Sequence, residues 1–215
     1  MDDQKPTEID DVGMDRVLNF VKSSSLFYLV MGSVGAMMCY YLHHNLIQLF
    51  AVPAELNRTL ILLALGVMGA GVLLILNTLL ESQFPSYQAF RGVLMRMVGA
   101  ASMPVAVYLA FISALGEELL FRGAIQPSLG LLGTALLFGL LHLGPQGLVS
   151  IWTLWAIVSG LMLGWIFQST GSLLPVLICH FLVNVTSLLR LRRQYKIFRA
   201  AKGENPQPDK LLTRH

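Results

Sequence analysis

Apolar residues fall in long runs separated by short polar, glycine- or proline-bearing segments. Six runs stand out, near 25–42, 60–80, 95–120, 131–144, 148–168 and 172–189. Several approach or exceed the roughly 20 residues that carry a helix across a bilayer. The fourth is short, and Gly144, Pro145 and Gly147 after it predict a tight reversal. Small residues recur at four-residue spacing in Gly32 and Ala36, Gly66 and Ala70, and Gly160 and Gly164. In lipid such pairs let helix backbones approach closely. The pattern predicts one all-α domain, a polytopic membrane bundle of about six transmembrane helices.

Composition reinforces this reading. Of 215 residues 55% are hydrophobic and 13% charged, where a soluble domain carries roughly a quarter charged; mean hydropathy is +0.65. The charges retreat to the ends. The polar segment 1–24 is mostly acidic and lacks a basic start and a small-residue cleavage site, so the first run reads as a retained span. The membrane domain covers 25–189. The tail 190–215 opens with Arg190, Arg192, Arg193, Lys196, Arg199 and Lys202, a juxtamembrane cluster expected on the cytoplasmic side against anionic lipid. That basic tail calls for no nucleic-acid partner. Cys39 and Cys179 lie inside apolar runs, are too few for a disulfide framework, and read as small buried hydrophobes.

Polar residues inside the spans then become the informative ones. Glu117, Glu118 and Arg122 stand together in "GEELLFRG". On a helix Glu118 and Arg122 are i,i+4 and able to pair, while Glu117 points about 100° away. His142 closes "FGLLH", one turn after Phe138, and "HFLVN" carries His180 and Asn184 on one helix face. Measured from the membrane face just after Arg122, Glu117 lies about 8 Å deep, His142 about 15 Å and His180 about 12 Å, at 1.5 Å per residue. All three can line one cavity. From position alone, a helix-end cluster, a packing histidine, or the Glu and His of an ion or proton transporter remain open.

In order, these stretches are EExxxR, FxxxH and HxxxN motifs, and over about 95–189 the chain resembles the CPBP family of intramembrane proteases. This family of CAAX-processing and bacteriocin-processing (Abi) proteins includes the Rce1-type prenyl-protein endopeptidases. The resemblance implies hydrolysis of a peptide bond in a membrane-associated protein or peptide. It assigns Glu117 as the base that activates a water, His142 as the residue that holds and polarises it, and His180 and Asn184 as oxyanion stabilisers. Glu118 and Arg122 would orient or charge-balance the site. The residue types suit these roles in a water-poor setting. Family members are described both as glutamate-type and as metalloproteases. The metal-free mechanism is favoured, with no cofactor; a zinc variant would use Glu117, His142 and His180. Non-catalytic members, acting as bacteriocin-immunity or scaffold proteins, are the alternative.

The resemblance and the basic tail together imply a bacterial cytoplasmic membrane with the tail inside. With six spans, the N-terminus and the segment carrying Arg91 and Arg96 fall on the tail's side. The face nearest the site would then open to the exterior. That departs from the Rce1-type enzymes, whose site is reached from the cytosol and which carry a further span after the HxxxN helix. An exterior-facing site would suit myxosortase-like branches, associated with removal of C-terminal sorting anchors.

Overall fold

The computed structural model describes residues 8–43, 46–144 and 150–203. The expected turn around Pro145 and Gly147 lies outside these. The described chain is helical: α1 Glu8–Met38 running into a π-helical turn Cys39–His43, a single turn α2 Leu46–Leu49, α3 Leu56–Gln83, α4 Pro85–Val98, α5 Met103–Glu118, a π-helical segment Leu119–Ile125, α6 Gln126–Leu141, α7 Ile151–Thr170 and α8 Leu173–Ala201. Helix α1 passes without a break through the boundary near residue 24, and α8 carries the basic cluster as continuous helix.

Burial along α3 shows the bundle's solvent. Its buried positions are Gly66, Gly69, Ala70, Leu73 and Asn77, whereas Leu60, Ile61, Val67, Met68 and Ile75 point outward. Small residues inside and large apolar ones outside is the arrangement a bilayer favours, since lipid accepts the large side chains and close backbone contact supplies the packing. A Cβ on Gly66 would come within 2.7 Å of the Pro175 carbonyl oxygen on α8. Among the described residues five helical runs are long and apolar enough to cross a membrane: Val17–Leu42, Leu56–Gln83, Met103–Leu141, Ile151–Thr170 and Leu173–Ala201.

The third run has 39 residues, about 58 Å at 1.5 Å per residue and twice what a bilayer core needs. Gly130 resolves the excess. Its φ of 74° and ψ of 173° lie in a region essentially reserved for glycine, and the chain turns back there. Before the turn, Arg122 and Gln126 donate to the carbonyls of Gly160 and Gly164. After it, Leu131 lies against Gly164 and Ala135 and Phe138 lie against Gly160, in reversed order. Six legs result, as the pattern predicted, with two boundaries moved. The span expected at 95–120 starts instead at Met103, because Ser102 caps α5 and Pro104 occupies its first turn. Its far end runs on through the π-helical segment to Leu129, since nothing near residue 120 breaks the helix.

The residues 85–98 form a separate helix across one end of the bundle. Tyr87 and Phe90 meet Trp152 at the start of α7, with ring centroids 6.1 and 4.7 Å apart. Tyr87 donates to Asn77 Oδ1 on α3, and burial pushes its phenol up, keeping it a neutral donor. Arg91 is paired with Glu81 at 2.6 Å. Arg192 of α8 donates to the Ala101 carbonyl and Tyr108 of α5 donates to Ser25 of α1, so both ends of the described chain lie at this end of the bundle.

Candidate active site

Three legs deliver the polar residues to one place. Helix α5 ends in Glu117 and Glu118, and the π-helical segment presents Arg122. Helix α6 stops at His142, whose φ of −101° and ψ of 58° leave the helix. Helix α8, capped by Ser172, brings His180 on its second turn. Glu117, Glu118, Arg122 and His180 are buried in the bundle, at 5%, 0%, 0% and 7% exposure, so their charges must be answered within it.

Glu118 is the hub. Its Oε1 accepts from Arg122 Nη1 at 3.0 Å, the pairing expected from i,i+4 spacing, and from His180 Nδ1 at 2.5 Å. Arg122 continues to the Gly160 carbonyl through Nη2 at 3.3 Å and lies 4.7 Å from the centroid of Phe138. The Phe138 ring in turn stacks on His142 at 4.2 Å and faces His180 edge-on at 6.5 Å. The guanidinium thereby holds a carboxylate, a carbonyl and an aromatic face at once.

Glu117 faces away from that pair, as its phase on the helix predicted. Its Oε2 lies 3.8 Å from His142 Nε2 and 3.7 Å from His180 Nε2. Both rings have their other nitrogen committed. His142 Nδ1 donates to the Phe138 carbonyl at 2.7 Å, which can only accept. His180 Nδ1 donates to the Glu118 carboxylate, already the acceptor of Arg122. Each ring thus turns Nε2 toward Glu117, and Oε2 has no hydrogen-bond partner among the described residues. The gaps are too long for direct hydrogen bonds, and each is short enough for one small molecule to bridge.

Asn184 stands one turn further along α8, and its Nδ2 donates to Ser113 Oγ at 2.9 Å, one turn before Glu117 on α5. The structure therefore brings five of the six expected residues into one contact network and sets Asn184 beside it. Helix α1, which carries none of the motifs, also packs here: a Cβ on Gly116 would come within 2.9 Å of the Tyr28 carbonyl oxygen.

The donor set of Glu117, His142 and His180, with Nδ1 of each ring held by an oxygen, has the chemistry of a His₂Glu zinc site with its supporting hydrogen bonds. Among the described residues no group of three or more such side chains stands at metal-holding spacing. The residue types fit a metal, and the spacing is that of a looser cavity.

Depth alters the topological argument. Glu117 is 14 residues from Met103 and 12 from Leu129, or about 21 and 18 Å along the leg. The 8 Å depth expected from the face after Arg122 is superseded, because the helix continues beyond Arg122. At mid-depth along this leg, depth by itself argues for neither face.

Comparison with known proteins agrees with the motifs. Residues 98–186 match the family described as type II CAAX prenyl endopeptidase Rce1-like. The chain is similar to the uncharacterized protein YpbD of Bacillus subtilis (strain 168), 27% identical over 133 residues that cover 60% of this chain and 69% of the relative. No solved structure matches. The matched segment contains all six motif residues, and the likeness supports a membrane endopeptidase in general terms.

Proposed function

We propose that the protein is an intramembrane endopeptidase that cleaves a membrane-associated protein or peptide with water activated by Glu117. The observation that carries this reading is the convergence of Glu117 Oε2 on Nε2 of His142 and His180 at 3.8 and 3.7 Å, with both Nδ1 atoms occupied. A water held by Glu117 Oε2 is within bridging reach of either imidazole across those gaps. Glu117 takes one proton from it, and the hydroxide adds to the scissile carbonyl. The developing oxyanion is met by His180 as an imidazolium, with Nδ1 anchored on Glu118, and by the second amide hydrogen of Asn184. The proton held by Glu117 then passes to the leaving amine. Glu118 and Arg122 take no proton in this scheme; Glu118 orients His180 and answers its charge, and Arg122 holds Glu118 in place.

A second reading keeps the same residues and the same reaction. It is favoured by the two Nε2 lone pairs turned toward one carboxylate: zinc held by Glu117, His142 and His180 would supply a Lewis acid and an acidified water. The test uses purified protein in proteoliposomes with a peptide that the wild type cleaves. Cleavage that survives a strong chelator and disappears in Glu117→Gln supports the metal-free route. Loss in chelator with recovery on adding Zn²⁺ transfers the reading to the metal. Retention of cleavage by Glu117→Gln contradicts both. A bacteriocin-immunity or scaffold role predicts a phenotype that Glu117→Gln leaves intact, and an ion or proton transporter predicts flux with no peptide product.

A further inference from the structure

Among the six motif residues, His142 alone lies where its helix stops. The last carbonyls of a helix have no partner within it, and at φ −101° and ψ 58° His142 has left the helical ladder. Its amide still reaches back to the Gly139 carbonyl at 3.0 Å. The aim of its ring therefore depends on what holds the rest of its backbone.

Helix α7 supplies that hold. Thr153 Oγ1 donates to the His142 carbonyl at 3.3 Å. A carbonyl can only accept, so the single hydroxyl hydrogen of Thr153 is committed there. In the 2.9 Å contact between Ser150 Oγ and Thr153 Oγ1, Ser150 is then the donor. Ser150 caps α7 and accepts from the Thr153 amide at 3.0 Å. The end of α6 and the start of α7 thus answer each other's open backbone groups. Thr153 is buried, at 4% exposure, so its hydroxyl has no competing water. Close packing stiffens the joint one turn earlier: a Cβ on Gly139 would come within 3.2 Å of the Thr153 carbonyl oxygen and 2.2 Å of Ile157 Cγ1. The ring is fixed separately, lying 4.2 Å from Phe138 with Nδ1 on the Phe138 carbonyl. Together these contacts leave Nε2 turned toward Glu117 at 3.8 Å.

We propose that Thr153 is a positioning residue of this site: its hydroxyl holds the His142 carbonyl and so fixes the non-helical backbone that aims the imidazole at Glu117. The proposal rests on the reading of His142 as the imidazole that holds the reacting water. It extends the functional unit to the start of α7, a helix that carries none of the motifs.

The experiment pairs kinetics with chemical labelling on the full chain in proteoliposomes. With a quenched fluorescent peptide that the wild type cleaves, Thr153→Val, which keeps the branched shape and removes the hydroxyl, is expected to lower kcat by about 10- to 100-fold, the scale of a small misplacement of a reacting group. KM should stay within about twofold, and Thr153→Ser, which keeps the donor, should return kcat to within about threefold of wild type. Diethyl pyrocarbonate, which acylates neutral imidazole, reads the hold on His142 without any cleavage. By mass spectrometry Thr153→Val should raise the labelling rate of His142 several-fold and leave that of His180, anchored on Glu118, unchanged. Wild-type kcat in Thr153→Val, equal losses in Thr153→Val and Thr153→Ser, unchanged labelling of His142, or equal rises at both histidines would overturn the proposal. Selective labelling of His142 in a protein whose His142→Ala variant still cleaves would instead sink the reading of His142 and leave the clamp standing.

Discussion

Glu118 and Arg122 show how two charges become tolerable inside a bundle. Each is fully buried, and their pairing at 3.0 Å is reinforced by His180 on one side and the Gly160 carbonyl on the other. Removing one partner strands the other. Arg122→Met is expected to destabilise the protein by about 3–5 kcal/mol, the cost of an uncompensated buried charge, read as a large drop in Tm in detergent. Replacing both, with Glu118→Leu and Arg122→Met together, should recover most of that stability and none of the activity, because His180 loses its anchor. Recovery of activity in the double variant would show that Glu118 is merely structural. The pair itself was legible from spacing, as was the separate direction of Glu117. The contact between Glu118 and His180 was not, because period along one helix says nothing about which nitrogen of another helix arrives opposite. Cys39 and Cys179 are buried and free, as read.

At the scale of elements, glycines decide the architecture. Gly130 turns the chain back so that α6 descends about half-way and ends on His142. Without that turn, His142 would stand far from Glu117. Gly130→Ala has open space for its methyl group but a backbone at φ 74°, so it should cost about 1–3 kcal/mol through strain. Gly71→Ala, also with open space but in ordinary helix, serves as the control and should be neutral or stabilising by up to about 1 kcal/mol. A pair of thermal unfolding curves checks both, and equal effects would remove the argument for strain. Gly35→Leu forces α1 away from the Leu120 backbone and should lower activity although it touches no motif residue. The stretch 95–120 shows what the pattern could not reveal. Hydropathy sees apolar residues continuing through it and cannot distinguish an end-on helix such as α4 from the start of a crossing helix. Nor does it signal the π-helical segment, whose hydrogen-bond register leaves no mark on apolar periodicity, although such segments recur at functional sites.

Across the whole molecule, the arrangement places α4, the start of α1 and the end of α8 at one end of the bundle. Arg91, Arg96, Arg190, Arg192, Arg193 and Lys196 are concentrated there. We propose that this end is cytoplasmic, by the excess of basic residues on that side of most membrane proteins. A phosphatase active only outside the cytoplasm should be inactive when fused after His215 and active when inserted after Val52, between α2 and α3. The reverse pattern would invert the orientation. Because Glu117 sits near the middle of its leg, substrates that approach from either face, or through the lipid, would meet the site at similar depth.

The central claim is that Glu117 serves as the base of a peptide-bond hydrolysis. It is tested most directly by mass spectrometry of the termini of membrane and exported proteins in cells that carry the wild type or Glu117→Gln, which keeps the volume of the side chain and removes its basicity. The account predicts at least one protein whose terminus is trimmed in wild-type cells and left uncut in the variant, at equal abundance of the two enzymes. Identical termini in the two strains, with a peptide product still formed by purified Glu117→Gln, would contradict it.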